Sequence, residues 1–187
     1  MFDIMGVQTH KNYMCVAKRD VMIKIGDIIF VQAKGVCKVE NIAKNVFDGC
    51  DKTKEYYVLK PVDASNNMMI YLPTDTKTKM RGLTNKSKIE KLLGEVSQFD
   101  TLEISAEEKR FDVYNEIAKR GDFEECLKLL KTLIIRKSKI QKRQFNLQEQ
   151  KFINSIIASI SAEVSYVYSK DCEEIKTQIL NHFETLA

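Results

Sequence analysis

The sequence predicts an α+β protein in which a small antiparallel β module precedes a compact helical domain. Short β-rich runs fill the first half of the chain, whereas beyond about residue 104 the apolar residues recur with a helical period. Each helix proposed beyond that point also begins with a capping residue and a Glu three positions later. We therefore divide the 187 residues into an extension (1–21), a β domain (22–98) and a helical domain (99–187).

The extension shows no periodicity, and two interpretations of it stay open. In one, Met22 is the translational start and the extension is disordered. In the other, residues 13–17 (YMCVA) form an extra strand.

Four β-rich runs separated by turn-forming residues make up the β domain: IGDIIFVQ, GVCKVENIAKNVF, EYYVLKPV and MMIYLP. Their lengths and spacing predict an antiparallel meander, strongly bent or curled into a partly open barrel, and a helix over 87–96 closes the domain. Eight apolar residues are expected in its interior: Ile25, Ile28, Val36, Val39, Ile42, Val58, Ile70 and Leu72.

Four helices are predicted in the helical domain. Their capping pairs are Ser105 with Glu108, Asp122 with Glu125, Asn146 with Glu149, and Asp171 with Glu174. Two apolar stripes at helical spacing mark the buried faces: Phe123, Cys126, Leu127, Leu130 and Ile134 on one helix, and Ile153, Ile156, Ile157, Ile160, Val164 and Val167 on another.

Catalytic chemistry is poorly supported by the sequence. The only histidines are His10 and His182, no glycine-rich phosphate loop occurs, and the 26 acidic residues include no marked pair. The five cysteines are scattered and never spaced as Cys-x-x-Cys, which argues against a zinc site and a disulfide framework. We therefore predict a non-enzymatic protein without cofactor or metal. No apolar run approaches the roughly 20 residues of a membrane span, so we expect a cytoplasmic protein. We also expect it to be a monomer.

Positive charge is concentrated in residues 126–151, which hold eight basic residues and one acidic residue, Glu149. Part of this excess suits the negative end of a helix, and a solvated helix end is one interpretation. The run KIQKR (139–143) continues past that end, however, where the helix dipole no longer explains it. We therefore favour contact with the phosphate backbone of a nucleic acid, without sequence specificity.

A second feature is the run MMIYLP. If Met68, Ile70 and Leu72 point inward, the two-residue period sends Met69 and Tyr71 outward. Either the bent sheet covers these two side chains, or they form an apolar patch that receives another protein.

The runs KIGDIIFVQAKGVCKVENI, KEYYVLK and MMIYLP, with MRGL after them, resemble the amino-terminal module of the CarD/CdnL family of bacterial transcription regulators, which the transcription-repair coupling factor shares. The segments RFDVYNEIAKRGDFEECLKLLKTLIIRK and NLQEQKFINSIIASISAEVS extend the resemblance to about residue 167. It implies a Tudor-like, SH3-related module that binds the RNA polymerase β subunit. It also implies a helical domain that contacts promoter DNA at the edge of the melted bubble and so modulates open-complex stability.

On this resemblance the expected polymerase-binding residues are Lys44, Asn45, Met69 and Tyr71. The expected DNA-binding residues are Glu107, Lys109, Arg110, Arg136, Lys137, Lys139, Lys142, Arg143 and Lys151. The chain departs from the family pattern, because Glu107 stands where relatives carry a tryptophan wedge and Tyr71 replaces an arginine. The alternative function is a protein-interaction adaptor without direct DNA binding. An RNA-binding barrel is less well supported, since the strands lack aromatic pairs that stack bases.

Overall fold

The computed structural model describes residues 22–62, 68–104, 109–139 and 146–186. The extension lies outside these residues, so both interpretations of it stay predictions. Five strands are followed by five α-helices, with a short 3₁₀ turn after the first helix. They are β1 (Ile28–Val31), β2 (Gly35–Ala43), β3 (Tyr56–Pro61), β4 (Ile70–Pro73), β5 (Met80–Gly82), α1 (Lys86–Glu95), α2 (Arg110–Arg120), α3 (Phe123–Lys139), α4 (Leu147–Tyr168) and α5 (Cys172–Glu184). The predicted α+β class is confirmed.

The strands form one antiparallel sheet in the order β4-β3-β2-β1-β5. The four predicted runs give the meander β1 to β4. β5 was not predicted, because three residues including a glycine carry no recognisable alternation; it pairs with β1, with Phe30 opposite Arg81. An irregularity between Val39 and Asn41 shifts the register of β2 against β3.

One face of the sheet, here called the inner face, encloses a small core. Its buried members are Ile29, Val31, Cys37, Val39 and Leu59, and Ile42, Ile70 and Leu72 pack against them. Four of the predicted interior residues are therefore confirmed: Val39, Ile42, Ile70 and Leu72. Val36 is buried as well, at 5% exposed, but outside this inner-face core, whereas Ile25, Ile28 and Val58 are not buried.

These four departures from the predicted inner-face core have two causes. Ile25 is 59% exposed because it lies in the turn before β1. Ile28, Val36 and Val58 alternate with inner-face residues and so point to the opposite, outer face. Val58 lies directly across from Tyr71 there.

The helices confirm the predicted caps within the described residues. The Asp122 carboxylate accepts from Glu125 N at 3.1 Å, and the Asp171 carboxylate accepts from Glu174 N at 2.9 Å. Asn146 and Glu149 form a complete capping box. Ser105 and Glu108 lie outside the described residues.

The helices share one large apolar core. Both predicted stripes line it, with every member buried except Val167, which packs against its margin. Ile89, Leu92 and Leu93 of α1 belong to this core as well, so the helix that follows the sheet packs with α2 to α5. Among the described helices none is long and apolar enough to cross a membrane.

Candidate functional site

The candidate functional residues lie on two surfaces and at the contact between the sheet and the helices, here called the joint. The first surface, here called the aromatic patch, lies on the outer face of β3 and β4. Phe47, Met69 and Tyr71 are 45%, 39% and 37% exposed there. The Phe47 ring lies 5.3 Å from the Tyr71 ring and 5.8 Å from the buried Tyr56 ring, between centroids. Met69 and Tyr71 are exposed as predicted, but Met68, which was expected to point inward, is 62% exposed, because β4 begins only at Ile70.

The loop after β2 brings the other two expected partner residues towards the same patch. Lys44 and Asn45 are exposed at the end of β2, and Asn45 adopts a positive φ of 54°, which Asn tolerates better than most residues. This conformation follows the end of the strand, and two residues later the Phe47 ring packs against the Tyr71 ring at an interplanar angle of 45°. Of the four residues expected from the resemblance, Met69 and Tyr71 belong to the patch, and Lys44 and Asn45 precede its Phe47 by three and two positions in the chain.

Phe47 was missed in the sequence because the run GVCKVENIAKNVF was read as one strand. The strand ends at Ala43. The signal that could have revealed this is Asn45, a residue that favours turns, followed by the Asp48-Gly49 turn.

The second surface is the basic segment, residues 126–151. Half of its described basic side chains form ion pairs or hydrogen bonds within the protein. Lys128 pairs with Glu124 at 2.7 Å within α3. Lys131 is buried and donates to the carbonyl oxygens of Ser97 and Phe99 at 2.8 and 2.6 Å, which ties α3 to the connection after α1.

Arg136 and Arg110 converge on one fully buried carboxylate. Glu149 Oε1 accepts from Arg136 Nε at 2.9 Å and lies 3.5 Å from Arg110 Nε, while Oε2 accepts from Asn146 N at 3.1 Å. Burial, and secondarily this carboxylate, raises the pKa of the adjacent Tyr114 hydroxyl. The cluster joins the first turn of α2, the last turn of α3 and the first turn of α4.

The cations that remain for a partner are Lys109, Lys137, Lys139 and Lys151, all exposed. Among the described residues none of these four side chains forms an ion pair. Glu107, Lys142 and Arg143 lie outside the described residues, so their expected DNA contacts stay predictions.

The joint between the sheet and the helices centres on Glu163 of α4, which is 1% exposed. Its carboxylate receives two parallel bonds from the Arg81 guanidinium at 2.7 and 2.8 Å, and a third from Thr84 N at 2.6 Å. Arg81 also donates to the carbonyl oxygen of Gly121 at 2.7 Å. A bidentate pair of this kind fixes orientation as well as contributing energy.

Phe30 completes the joint. The Arg81 guanidinium carbon lies 4.4 Å from the centre of the Phe30 ring. Gly121, in the turn between α2 and α3, lies next to the same ring. Gly121 adopts a left-handed φ of 64°, and a Cβ on it would overlap the Phe30 ring. Glycine is needed at this turn for both reasons. Nothing in the sequence linked Arg81 to Glu163, because they lie 82 positions apart.

The described residues contain no group of three His, Cys, Asp or Glu side chains arranged to hold a metal ion.

Residues 23–84 match the family model described as CarD-like/TRCF RID domain. The match covers all five strands, and it confirms the resemblance for this part of the chain. Domains of this type interact with RNA polymerase in transcription-related proteins, and their family is in general non-enzymatic. No curated protein is significantly similar to the chain.

Proposed function

We propose that this chain is a bacterial transcription regulator that bridges the β subunit of RNA polymerase and promoter DNA. The sheet binds polymerase and the helical domain contacts DNA without reading its sequence. A protein that binds the open promoter complex better than the closed one shifts the equilibrium between them by that difference in affinity. The chain acts as a monomer in this proposal.

The observation that carries the proposal is the aromatic patch on a domain matched to the CarD-like/TRCF RID type. Three exposed apolar side chains beside β4, an edge strand of the described sheet, are a costly feature on a surface that binds nothing. Aromatic residues held by rigid neighbours are typical centres of binding energy in protein interfaces. Lys44, three residues before Phe47, adds an exposed cation to the same loop.

Replacing Tyr71 by Glu tests the polymerase half. The change places a charge in the middle of the patch, and we expect affinity for core RNA polymerase to fall by about 2 kcal/mol, close to thirtyfold in Kd. The measurement is a binding titration with purified core polymerase. Tyr166→Glu is the matched control, because Tyr166 is 44% exposed on α4 and lies outside the patch.

Equal affinity of wild type and the Tyr71 variant, with both folded, would remove the patch as the polymerase site. An equal loss in both variants would show that added negative charge, rather than the patch, weakens binding.

Replacing Lys137 and Lys139 together by Gln tests the DNA half. Each lost phosphate contact should reduce the slope of log K against log salt concentration by about 0.9 for duplex DNA. The measurement is a titration with promoter-length duplex across a salt series. If the wild-type chain binds this DNA weakly and without a salt slope, the adaptor function is the better description.

A further inference from the structure

A cleft of about 580 Å³ opens between the sheet and the helical domain, beside the joint. Its floor is largely apolar and includes Val36 and Pro61 from the sheet and Phe152 and Ile156 from α4. The charged side chains that line it are Lys34, Lys119 and Lys151. No Asp or Glu is among the described residues that line it.

The three lysines come from three different elements. Lys34 lies in the turn between β1 and β2, Lys119 near the end of α2, and Lys151 in the second turn of α4. A backbone hydrogen bond holds the turn that carries Lys34 against the end of α2, because Ala33 N donates to the carbonyl oxygen of Lys119 at 3.0 Å. All three are exposed, and none forms an ion pair among the described residues.

This arrangement differs from that of the neighbouring arginines. Arg81, Arg110 and Arg136 each face a buried carboxylate, so their charge is compensated within the protein. The lysines of the cleft keep their charge uncompensated, and neutral hydrogen-bonding side chains, Asn115 and Gln148, accompany them. Lysines with nearby amide groups are a common way to hold phosphate oxygens.

We propose that Lys34, Lys119 and Lys151 form a second phosphate-contacting site, so that the DNA path continues from the basic segment across the cleft onto the sheet. This inference rests on the DNA-binding part of the proposed function and adds the sheet to the DNA interface. Lys151 is the link, since it belongs both to the basic segment and to the cleft. A duplex is favoured over an acidic peptide because the site continues the basic segment proposed above to contact DNA.

The test compares Lys34→Gln/Lys119→Gln with the wild-type chain in the same salt series of DNA titrations. Losing two phosphate contacts should flatten the slope of log K against log salt by about 1.8. Lys88→Gln/Lys91→Gln is the matched control, because it removes the same charge from two exposed lysines of α1 that do not line the cleft. Its slope should stay near the wild-type value.

Each outcome decides a separate point. If the wild-type chain has a steep slope and the Lys34/Lys119 variant keeps it, the cleft lies off the DNA path and the inference is overturned. An equal change in the α1 control would also overturn it, since net charge alone would then explain the effect. If the wild-type chain shows no salt-dependent DNA binding at all, the DNA-binding part of the proposed function is wrong. An acidic protein segment is then the better candidate for the cleft.

Discussion

The sheet and the helical region differ sharply in the number of apolar side chains that each buries. Among the residues that the structure describes, the inner face of the sheet buries five apolar side chains, whereas the helical core buries twenty-two. Small cores yield little net stability once the entropy of ordering the chain is subtracted. The sheet therefore depends on the joint with the helices, where Phe30 and Arg81 of its outer face are held. We therefore expect much of the stability of the sheet to come from its contacts with the helical region.

The strongest way to break this dependence is Glu163→Gln. The amide cannot match the charge of the Arg81 guanidinium, and loss of a partner from a buried ion pair costs about 3–5 kcal/mol. We expect that loss in urea unfolding followed by circular dichroism. Amide hydrogen exchange should rise first in β1 and β5, ahead of α3 and α4.

Glu173→Gln is the control for this prediction. Its side chain is 77% exposed and pairs with Lys176 within one helix, so the change should stay within about 0.5 kcal/mol. Uniform loss of exchange protection over the whole chain would mean that the sheet is not the weaker partner.

A smaller effect is expected from Gly121→Ala. The substitution forces alanine into a left-handed conformation and its Cβ against the Phe30 ring, which together cost about 2 kcal/mol or more. The measurement is again urea unfolding. Gly94→Ala is the informative companion, because it lies in α1 with open space around the new Cβ and should gain up to about 1 kcal/mol. Opposite signs at the two glycines would locate the sensitivity at the joint.

The smallest predicted effect is a pH dependence of the free energy of unfolding, which arises from one buried cysteine in each core. Burial raises the pKa of Cys37 in the sheet from 9.0 to about 11, and that of Cys126 in the helical core from 9.0 to about 12. A raised pKa means that each folded thiol holds its proton after the unfolded one has lost it. The resulting stability is complete below pH 9 and is lost as the pH rises towards 11 and 12 respectively.

Replacing either thiol by Ala should remove about 1 kcal/mol of this alkaline loss between pH 8 and pH 10. The measurement is the free energy of unfolding of each variant as a function of pH. Between pH 6 and pH 8 the curves should run parallel to wild type. Divergence already in that range would contradict the assignment to thiols.

The sequence predicted what depends on neighbouring residues. The caps at Asp122, Asn146 and Asp171 were identified because the accepting side chain and the Glu lie within one turn. The buried stripe of α4 followed from its helical spacing. The outward direction of Tyr71 followed from alternation within β4, whereas the same alternation failed at Met68, which lies before the strand.

What the sequence did not predict depends on contacts between distant residues. The Arg81–Glu163 pair and the cleft exist only after the sheet docks on the helices. The apolar face of α1 indicated that the helix packs, but not that its partner is the helical core. The assignment of Val58 to the interior failed because the phase of β3 is set by its pairing with β2 and β4.

The irregularity between Val39 and Asn41 in β2 has a geometrical consequence. It lies between the part of the sheet that the helices hold and the part that carries the aromatic patch. A bulge bends its strand and adds right-handed twist, and three strand-to-strand steps from β1 to β4 accumulate roughly 60–75° of twist. The two ends of the outer face therefore point in different directions. A single five-stranded sheet can thus contact a different neighbour through each end of its outer face, without overlap between the two neighbours.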